Sequence, residues 1–338
     1  MIELRTPFGN SNIYFGRSLS NILAVEERDA VIVTDQHLAQ LFSDELTNRR
    51  VIVIPEGESA KILFHLEKAA KQLMDIGLSR KGLLVGLGGG AVCDFTGFLA
   101  SIYKRGIAFG FVPTTLLAQV DAAIGGKNGV NVDDYKNMLG VFSAPEFVAI
   151  NASYTLTQDE AHWKEGFAEI IKHAFIADNA LYHYINKHRG QLLSRELDVL
   201  QACIRSAAIV KINIVSEDPY ERDSRKKLNF GHTVGHALEK VGDLSHGHAV
   251  SIGMVCEARL SEEKTTFGEV ECQALIDQLS YFGLPVDLDI TIEELKDAMY
   301  KDKKGQGNYI DIPILKHIGV SEVHHFSYLE LFTRLESL

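Results

Sequence analysis

Two histidines stand four residues apart in Gly231-His232-Thr233-Val234-Gly235-His236, a spacing that puts both on one helix face. The pair is half of the zinc-protease motif HExxH, but the glutamate is missing, which argues against a metalloprotease. Two readings stay open: a metal-ligating pair, or two hydrogen-bonded helix histidines among the 13 in the chain. Glu169 and Lys172, three apart in Ala168-Glu169-Ile170-Ile171-Lys172, offer a carboxylate and an ammonium from one face. A third group is glycine-rich. The apolar run Leu83 to Leu87 leads into Gly88, Gly89 and Gly90, and from Ala91 a helical period follows through Val92, Phe95, Phe98, Leu99 and Ile102. Strand, glycine turn and helix together let backbone N–H groups approach a phosphate. Taken alone, Gly86-x-Gly88-x-x-Ala91 is a loose dinucleotide fingerprint, and a plain turn would explain it too. A second strand, Ile107 to Val112, ends at Pro113-Thr114-Thr115, and the turn Gly125-Gly126 delivers Lys127 beyond Asp121. The stretch thus supplies hydroxyls, an ammonium and a carboxylate around one cradle.

The elements that must position these groups fall into two halves. Short strands at Ile2 to Leu4 and Ile13 to Phe15 flank a Gly9-Asn10 turn. Val31 to Thr34 and Val51 to Ile54 read as buried strands, and an amphipathic helix runs through Leu63, Leu66, Ala70, Leu73 and Met74. Asp35 ends its strand where a carboxylate meets ribose hydroxyls, or where it caps the following helix; one residue can do both. Strands alternating with helices up to about Ile150 predict a Rossmann-like α/β domain with a mostly parallel sheet, residues 1–155. Helical periods at 160–177, 178–190, 195–216, 230–241, 249–265 and 270–281 predict a mainly α-helical domain, residues 156–338. The one further strand expected is Tyr309 to Ile312.

Composition sets limits. The chain has 338 residues, enough for two domains, with 46% hydrophobic and 23% charged residues, as in a soluble globular protein. A net charge of −11 argues against nucleic acid or an anionic membrane as partner. No apolar run matches the roughly 20 residues of a membrane span, and the start lacks an export signal. Cys93, Cys203, Cys256 and Cys272 have no metal-knuckle spacing and read as buried reduced thiols of a cytoplasmic protein.

With these residues in view, a resemblance emerges. GGGAVCDFTGF, YKRG, PTTLLAQVDAAIGGKNGVN, KNMLG, GFAEIIKH, LNFGHTVGHALE, SHGHAVSIGM and DKK stand in the order found in 3-dehydroquinate synthases, the sugar-phosphate cyclases of the shikimate route, from about Val31 to Gly319. The resemblance implies a lyase of aromatic amino acid biosynthesis that converts 3-deoxy-D-arabino-heptulosonate 7-phosphate to 3-dehydroquinate and phosphate. It implies NAD, reduced and reoxidised within each cycle, and a divalent metal, Zn or Co. Glu169, His232 and His246 match the metal ligands, two imidazoles and a carboxylate that suit zinc. The family has glutamate where this chain has His248, so His248 in place of His246 stays open.

The resemblance places Asp35, Glu58, Lys61, Gly89, Gly90, Ala91, Asp94, Thr114, Thr115, Asp121, Lys127, Lys136 and Thr157 at the cofactor. It gives catalytic positions to Lys127, Asn137, Lys172, Lys211, Arg225, Asn229 and His236. Arg105, Asp121, Lys136 and Lys303 would bind substrate, with Lys304 an alternative to Lys303. So many cations in one pocket need a multiply charged ligand, and a small sugar phosphate with a carboxylate provides it. Arg105 would act across a homodimer interface. The alternatives are an inosose or valiolone synthase of the same superfamily, a metal-dependent polyol dehydrogenase with little use for these cations, and a catalytically dead binding protein.

Overall fold

The computed structural model describes residues 1–133, 135–242, 244–288, 291–302 and 308–336; Lys303 and Lys304 lie outside them. The chain divides into two compact units, Met1–Gln158 and Asp159–Leu338.

The first unit holds strands β1 (Ile2–Thr6), β2 (Gly9–Phe15), β3 (Ala30–Asp35), β4 (Arg50–Ile54), β5 (Leu83–Gly88), β6 (Ala108–Pro113), β7 (Lys127–Val132), β8 (Tyr135–Phe142) and β9 (Phe147–Ile150). Its helices are α1 (Leu19–Leu23), α2 (Gln36–Leu41), α3 (Ser43–Leu46), α4 (Leu63–Ile76) and α5 (Gly90–Ile102). Seven strands form one sheet in the order β1-β2-β9-β6-β5-β3-β4, parallel throughout except for the β1–β2 hairpin. Gly9 and Asn10 open β2 rather than forming its turn, which falls at Pro7-Phe8. β3 and β5 are buried on both faces, which explains why they read as continuous apolar runs. From β3 the chain adds β4 on one side, then crosses to lay β5 on the other. That reversal leaves a crevice at the carboxyl ends of β3 and β5, the usual ligand position in such sheets. Thr34 Oγ1 donates to Leu87 O at 2.8 Å and ties the two strand ends together. β7 and β8 pair as a separate antiparallel hairpin that Gly- and Asn-rich sequence had concealed.

The second unit is built on α6 (Glu160–Ala177), α7 (Asn179–Leu193), α8 (Leu197–Glu217), α9 (His232–Val241), α10 (His246–Lys264), α11 (Glu269–Tyr281), α12 (Ile292–Asp302) and α13 (Tyr328–Leu335). Asp159 caps α6 by accepting from His162 N, and Asp178 caps α7 by accepting from Leu181 N. α6 is the central helix, buried from Trp163 through Ile176 over most of its surface, with Phe167 stacked on Phe282 at 4.0 Å. α8 alone among the described residues is long and apolar enough to cross a membrane, but 56% of that window is buried within the unit, as in a core helix. The expected strand at Tyr309 is present and longer. β10 (Tyr309–His317) pairs antiparallel with β11 (Val320–Ser327), whose polar sequence VSEVHHFS gave no strand signal. Val234, Leu238, Ile252, Leu260, Ile312, Ile314 and Phe326 join α9, α10 and this hairpin in one apolar cluster.

Candidate active site

In the first unit, the glycines serve close approach more than unusual backbone angles. A Cβ on Gly88 would lie 2.5 Å from Val92 Cγ2, one on Gly86 2.9 Å from Thr96 Oγ1, and one on Gly97 2.0 Å from Asn128 Oδ1. α5 therefore sits tightly on β5, and its first turn projects from the crevice end of the sheet. Gly89 is its N-cap, extended at φ −71°, and no side chain caps the helix. Its leading N–H groups suit an anion. Gly89 and Gly90 face Thr115 and Ala122, so both glycines, Ala91 and Thr115 meet at the ends of β5 and β6. Thr114 N donates to Gly88 O at 3.0 Å, and Thr115 Oγ1 accepts from Ala118 N at 3.1 Å. Asp121 follows in the π-helical turn Ala118–Ala122.

Asp35 Oδ1 accepts from Leu38 N at 2.8 Å, so it does cap α2. Burial pushes its carboxyl above the ordinary value. Lys61 is the hub of a second group. It is 2% exposed, and its Nζ donates to Asp94 Oδ2 at 2.7 Å and to Asn137 Oδ1 at 2.6 Å, with Glu58 Oε1 at 3.6 Å. Asn131, which sequence reasoning missed, joins its members: Nδ2 donates to Glu58 Oε2 at 2.9 Å and Oδ1 accepts from Asn137 N at 2.8 Å. Asn137 adopts φ 54°, a left-handed conformation that asparagine tolerates. Lys127 opens β7 and Lys136 precedes Asn137 on β8, both exposed. Thr157 Oγ1 donates to Tyr154 O at 2.8 Å. Arg105 lies at the far end of α5, about 18 Å along the helix from the cradle. There Lys104, Arg105 and Gly106 take φ values of 50°, 65° and 110°, a strained run.

In the second unit, Glu169 and Lys172 sit on buried α6 as an ion pair through Glu169 Oε2. The other oxygen, Oε1, lies 3.5 Å from His232 Nε2 and 3.4 Å from His246 Nε2. Ligands 2.0–2.1 Å from a tetrahedral zinc are about 3.3–3.4 Å apart, so these separations fit a shared ion. The donor atoms of all three residues lie within 4.8 Å of one another. Each histidine has its other nitrogen engaged: His232 Nδ1 meets Phe230 O at 3.2 Å, and His246 Nδ1 meets Glu239 Oε1 at 2.6 Å. Both arrangements leave Nε2 as the nitrogen that faces Glu169. Of the two neighbouring histidines, His246 is the one grouped with Glu169 and His232. His236 stands one turn beyond His232, their ring centroids 5.4 Å apart.

Glycines again set the geometry. A Cβ on Gly253 of α10 would fall 2.0 Å from Gly231 O, and one on Gly235 of α9 3.1 Å from Ala249 O. One on Gly247 would fall 2.5 Å from Glu165 Cβ, a turn before Glu169 on α6. Backbone thus presses on backbone beside each histidine. Gly231 itself has φ 79°, and its N–H donates to Glu257 Oε2 at 2.7 Å. Burial raises the Glu257 carboxyl to about 8. Burial, reinforced by Lys172, lowers His232 to about 3. Burial also lowers His246, but hydrogen bonds to Glu169 and Glu239 outweigh it and raise it to about 10.

Lys211 on α8 and Arg225 are buried, and α8 and the 3-10 turn Ser224–Asn229 both pack on α6. Arg225 Nη1 donates to Pro219 O at 2.6 Å, and Asn229 Nδ2 to Glu221 Oε1 at 2.8 Å. Asp218 accepts backbone N–H groups of Arg222, Asp223 and Arg225, which fixes the loop that carries them.

The N-terminal profile of 3-dehydroquinate synthase matches residues 51–165 and the C-terminal profile residues 166–305. The 3-dehydroquinate synthase of Dictyoglomus thermophilum is 35% identical over 334 residues, 96% of this chain and 94% of that one. That of Streptococcus thermophilus is 38% identical over 323 residues, covering 92% and 91%. Among solved structures, 2-epi-5-epi-valiolone synthase from Streptomyces hygroscopicus subsp. jinggangensis 5008, with NAD+ and Zn2+ bound, superposes at TM-score 0.86 with 25% identity over 97% of this chain and 96% of that one.

Proposed function

The chain belongs to the 3-dehydroquinate synthase family, and on that premise we propose that it converts 3-deoxy-D-arabino-heptulosonate 7-phosphate to 3-dehydroquinate and phosphate in the shikimate pathway. It is an NAD- and metal-dependent carbon–oxygen lyase, with nucleotide on residues 1–155 and metal on 156–338. The observation that carries this reading is the triangle of Glu169, His232 and His246, at ligand-like separations and with both imidazoles oriented. The donor set suits Zn or Co. When bound, NAD supplies a transient hydride acceptor and the metal polarises a substrate oxygen.

The chain's own residues do the rest. Gly89, Gly90 and Ala91 present backbone N–H groups to the pyrophosphate, and Asp35 stands where the ribose hydroxyls come. Asp94, Glu58 and Lys61 form the rim of that site, with Thr114, Thr115, Asp121 and Thr157 lining it. Lys127, Lys136, Lys172, Lys211 and Arg225 hold the phosphate and carboxylate by charge-assisted bonds. Asn137, Asn229 and His236 orient hydroxyls and carry protons. Lys303 is assigned to the same substrate.

A homodimer with Arg105 acting on the partner's substrate completes the proposal. It is supported by the distance of Arg105 from its own cradle and by the exposed apolar side chains Tyr135, Met138, Leu139 and Phe142 on β8. Four buried free thiols support a cytoplasmic setting.

The test is His232→Ala. Metal content and phosphate release should fall together, and full activity in a metal-free variant refutes the scheme. A panel of sugar phosphates read by phosphate release separates this activity from inosose and valiolone synthases. Net accumulation of NADH would instead indicate a polyol dehydrogenase.

A further inference from the structure

We propose that Glu239 is a positioning residue of the metal centre: it selects His246 as the ligand and locks its imidazole with Nε2 facing the ion. The inference rests on the metal reading of Glu169, His232 and His246 and deepens it. Glu239 lies on α9, seven residues and so about two turns beyond His232, on the same helix face. Its side chain is 12% exposed, and its Oε1 is 2.6 Å from His246 Nδ1. A carboxylate accepts only, so that bond holds a proton on Nδ1 and leaves Nε2, 3.4 Å from Glu169 Oε1, as the nitrogen that would give its lone pair to a metal.

The two imidazoles are held unequally. His232 Nδ1 meets a neutral carbonyl, Phe230 O, at 3.2 Å, whereas His246 Nδ1 meets a carboxylate at 2.6 Å. The shorter, charge-assisted bond makes His246 the more strongly donating ligand.

His246 is also the ligand that needs a tether. It is the first residue of α10, the capping residue Ser245 makes no side-chain cap, and its side chain is 34% exposed against 13% for His232. The same contact accounts for the choice between neighbouring histidines. His248 is two residues on, about 200° around the helix, and cannot share the direction in which Glu239 meets His246.

The test uses the full chain, stripped of metal and titrated with Zn2+ against a chromophoric chelator. Co2+ substitution then reports ligand geometry through its visible spectrum. Glu239→Leu should weaken Zn2+ binding about 10- to 100-fold and alter the Co2+ spectrum, with Glu239→Gln intermediate because it keeps an acceptor without the charge. A Leu variant within threefold of the unsubstituted protein, with an unchanged Co2+ spectrum, overturns the proposal. Should that variant fail to fold, the Gln variant decides by the same two readings. An unsubstituted protein that takes up neither Zn2+ nor Co2+ would refute the triad itself, which is a separate failure.

Discussion

Gly253→Ala should cripple the metal centre although Gly253 touches none of its ligands. The added Cβ would fall 2.0 Å from Gly231 O and 2.9 Å from both Gly231 C and Gly235 N. These are backbone atoms, so no side chain can rotate away. Ordinary carbon–oxygen contact begins at about 3.3 Å, so the two helices must part by about 1.3 Å. Whichever one yields, a ligand goes with it: His232 follows Gly231 on α9, and His246 opens α10. Metal sites tolerate about 0.2 Å, and a displacement near 1 Å elsewhere costs about 100-fold. We expect Zn2+ affinity to fall by about that factor, roughly 2.8 kcal/mol, with a further 1–3 kcal/mol of overpacking in the fold. Chelator competition reads the first effect, and thermal unfolding of the metal-free protein reads the second. Gly268→Ala is the control, since a Cβ there meets nothing within 4 Å. A Gly253→Ala protein with wild-type melting temperature and Zn2+ affinity would refute the claim that this contact sets the ligand spacing.

Two further outcomes follow from the same kind of reasoning. Gly88→Ala would push a methyl to 2.5 Å from Val92 Cγ2 and tilt the first turn of α5, so NAD affinity measured by calorimetry should drop at least tenfold; an unchanged affinity refutes the cradle. Glu257→Gln should change the pH dependence of stability. With its carboxyl raised from 4.5 to about 8 by burial, the native state keeps a proton that the unfolded chain gives up. That contribution is complete below about pH 4.5 and is lost as pH rises through 8. Glutamine cannot ionise, so the melting temperature of the variant should gain on the wild type from pH 5 to pH 9, and a constant difference would contradict this.

Much of the scaffold was legible because its signals are local. β3 and β5 announce themselves as apolar runs, and α6 spans the residues that its periodicity marked. The β7–β8 hairpin and β11 escaped because their sequences, KNGVNV and VSEVHHFS, are polar or rich in Gly and Asn; pairing and tertiary packing decide such strands. Asn131 escaped for a different reason. Its side chain joins Glu58 to Asn137 across a parallel bridge between Asn131 and Ile62, and no spacing rule spans that distance.

The metal triangle shows most clearly what spacing leaves undetermined. His232 lies 5.4 Å from His236 and 5.3 Å from His246 by ring centroid, so proximity does not choose between them. Glu169, whose Oε1 faces Nε2 of both His232 and His246, sets these two apart, together with the acceptors that hold their Nδ1 atoms. That arrangement needs α9 and α10 to touch along their backbones, which Gly231, Gly235 and Gly253 permit. Gly247 then lets α10 lean on α6 beside Glu165, which brings His246 within reach of Glu169. The three residues could be named from motifs, but the distances between them depend on glycines, whose contribution appears only when the helices are packed.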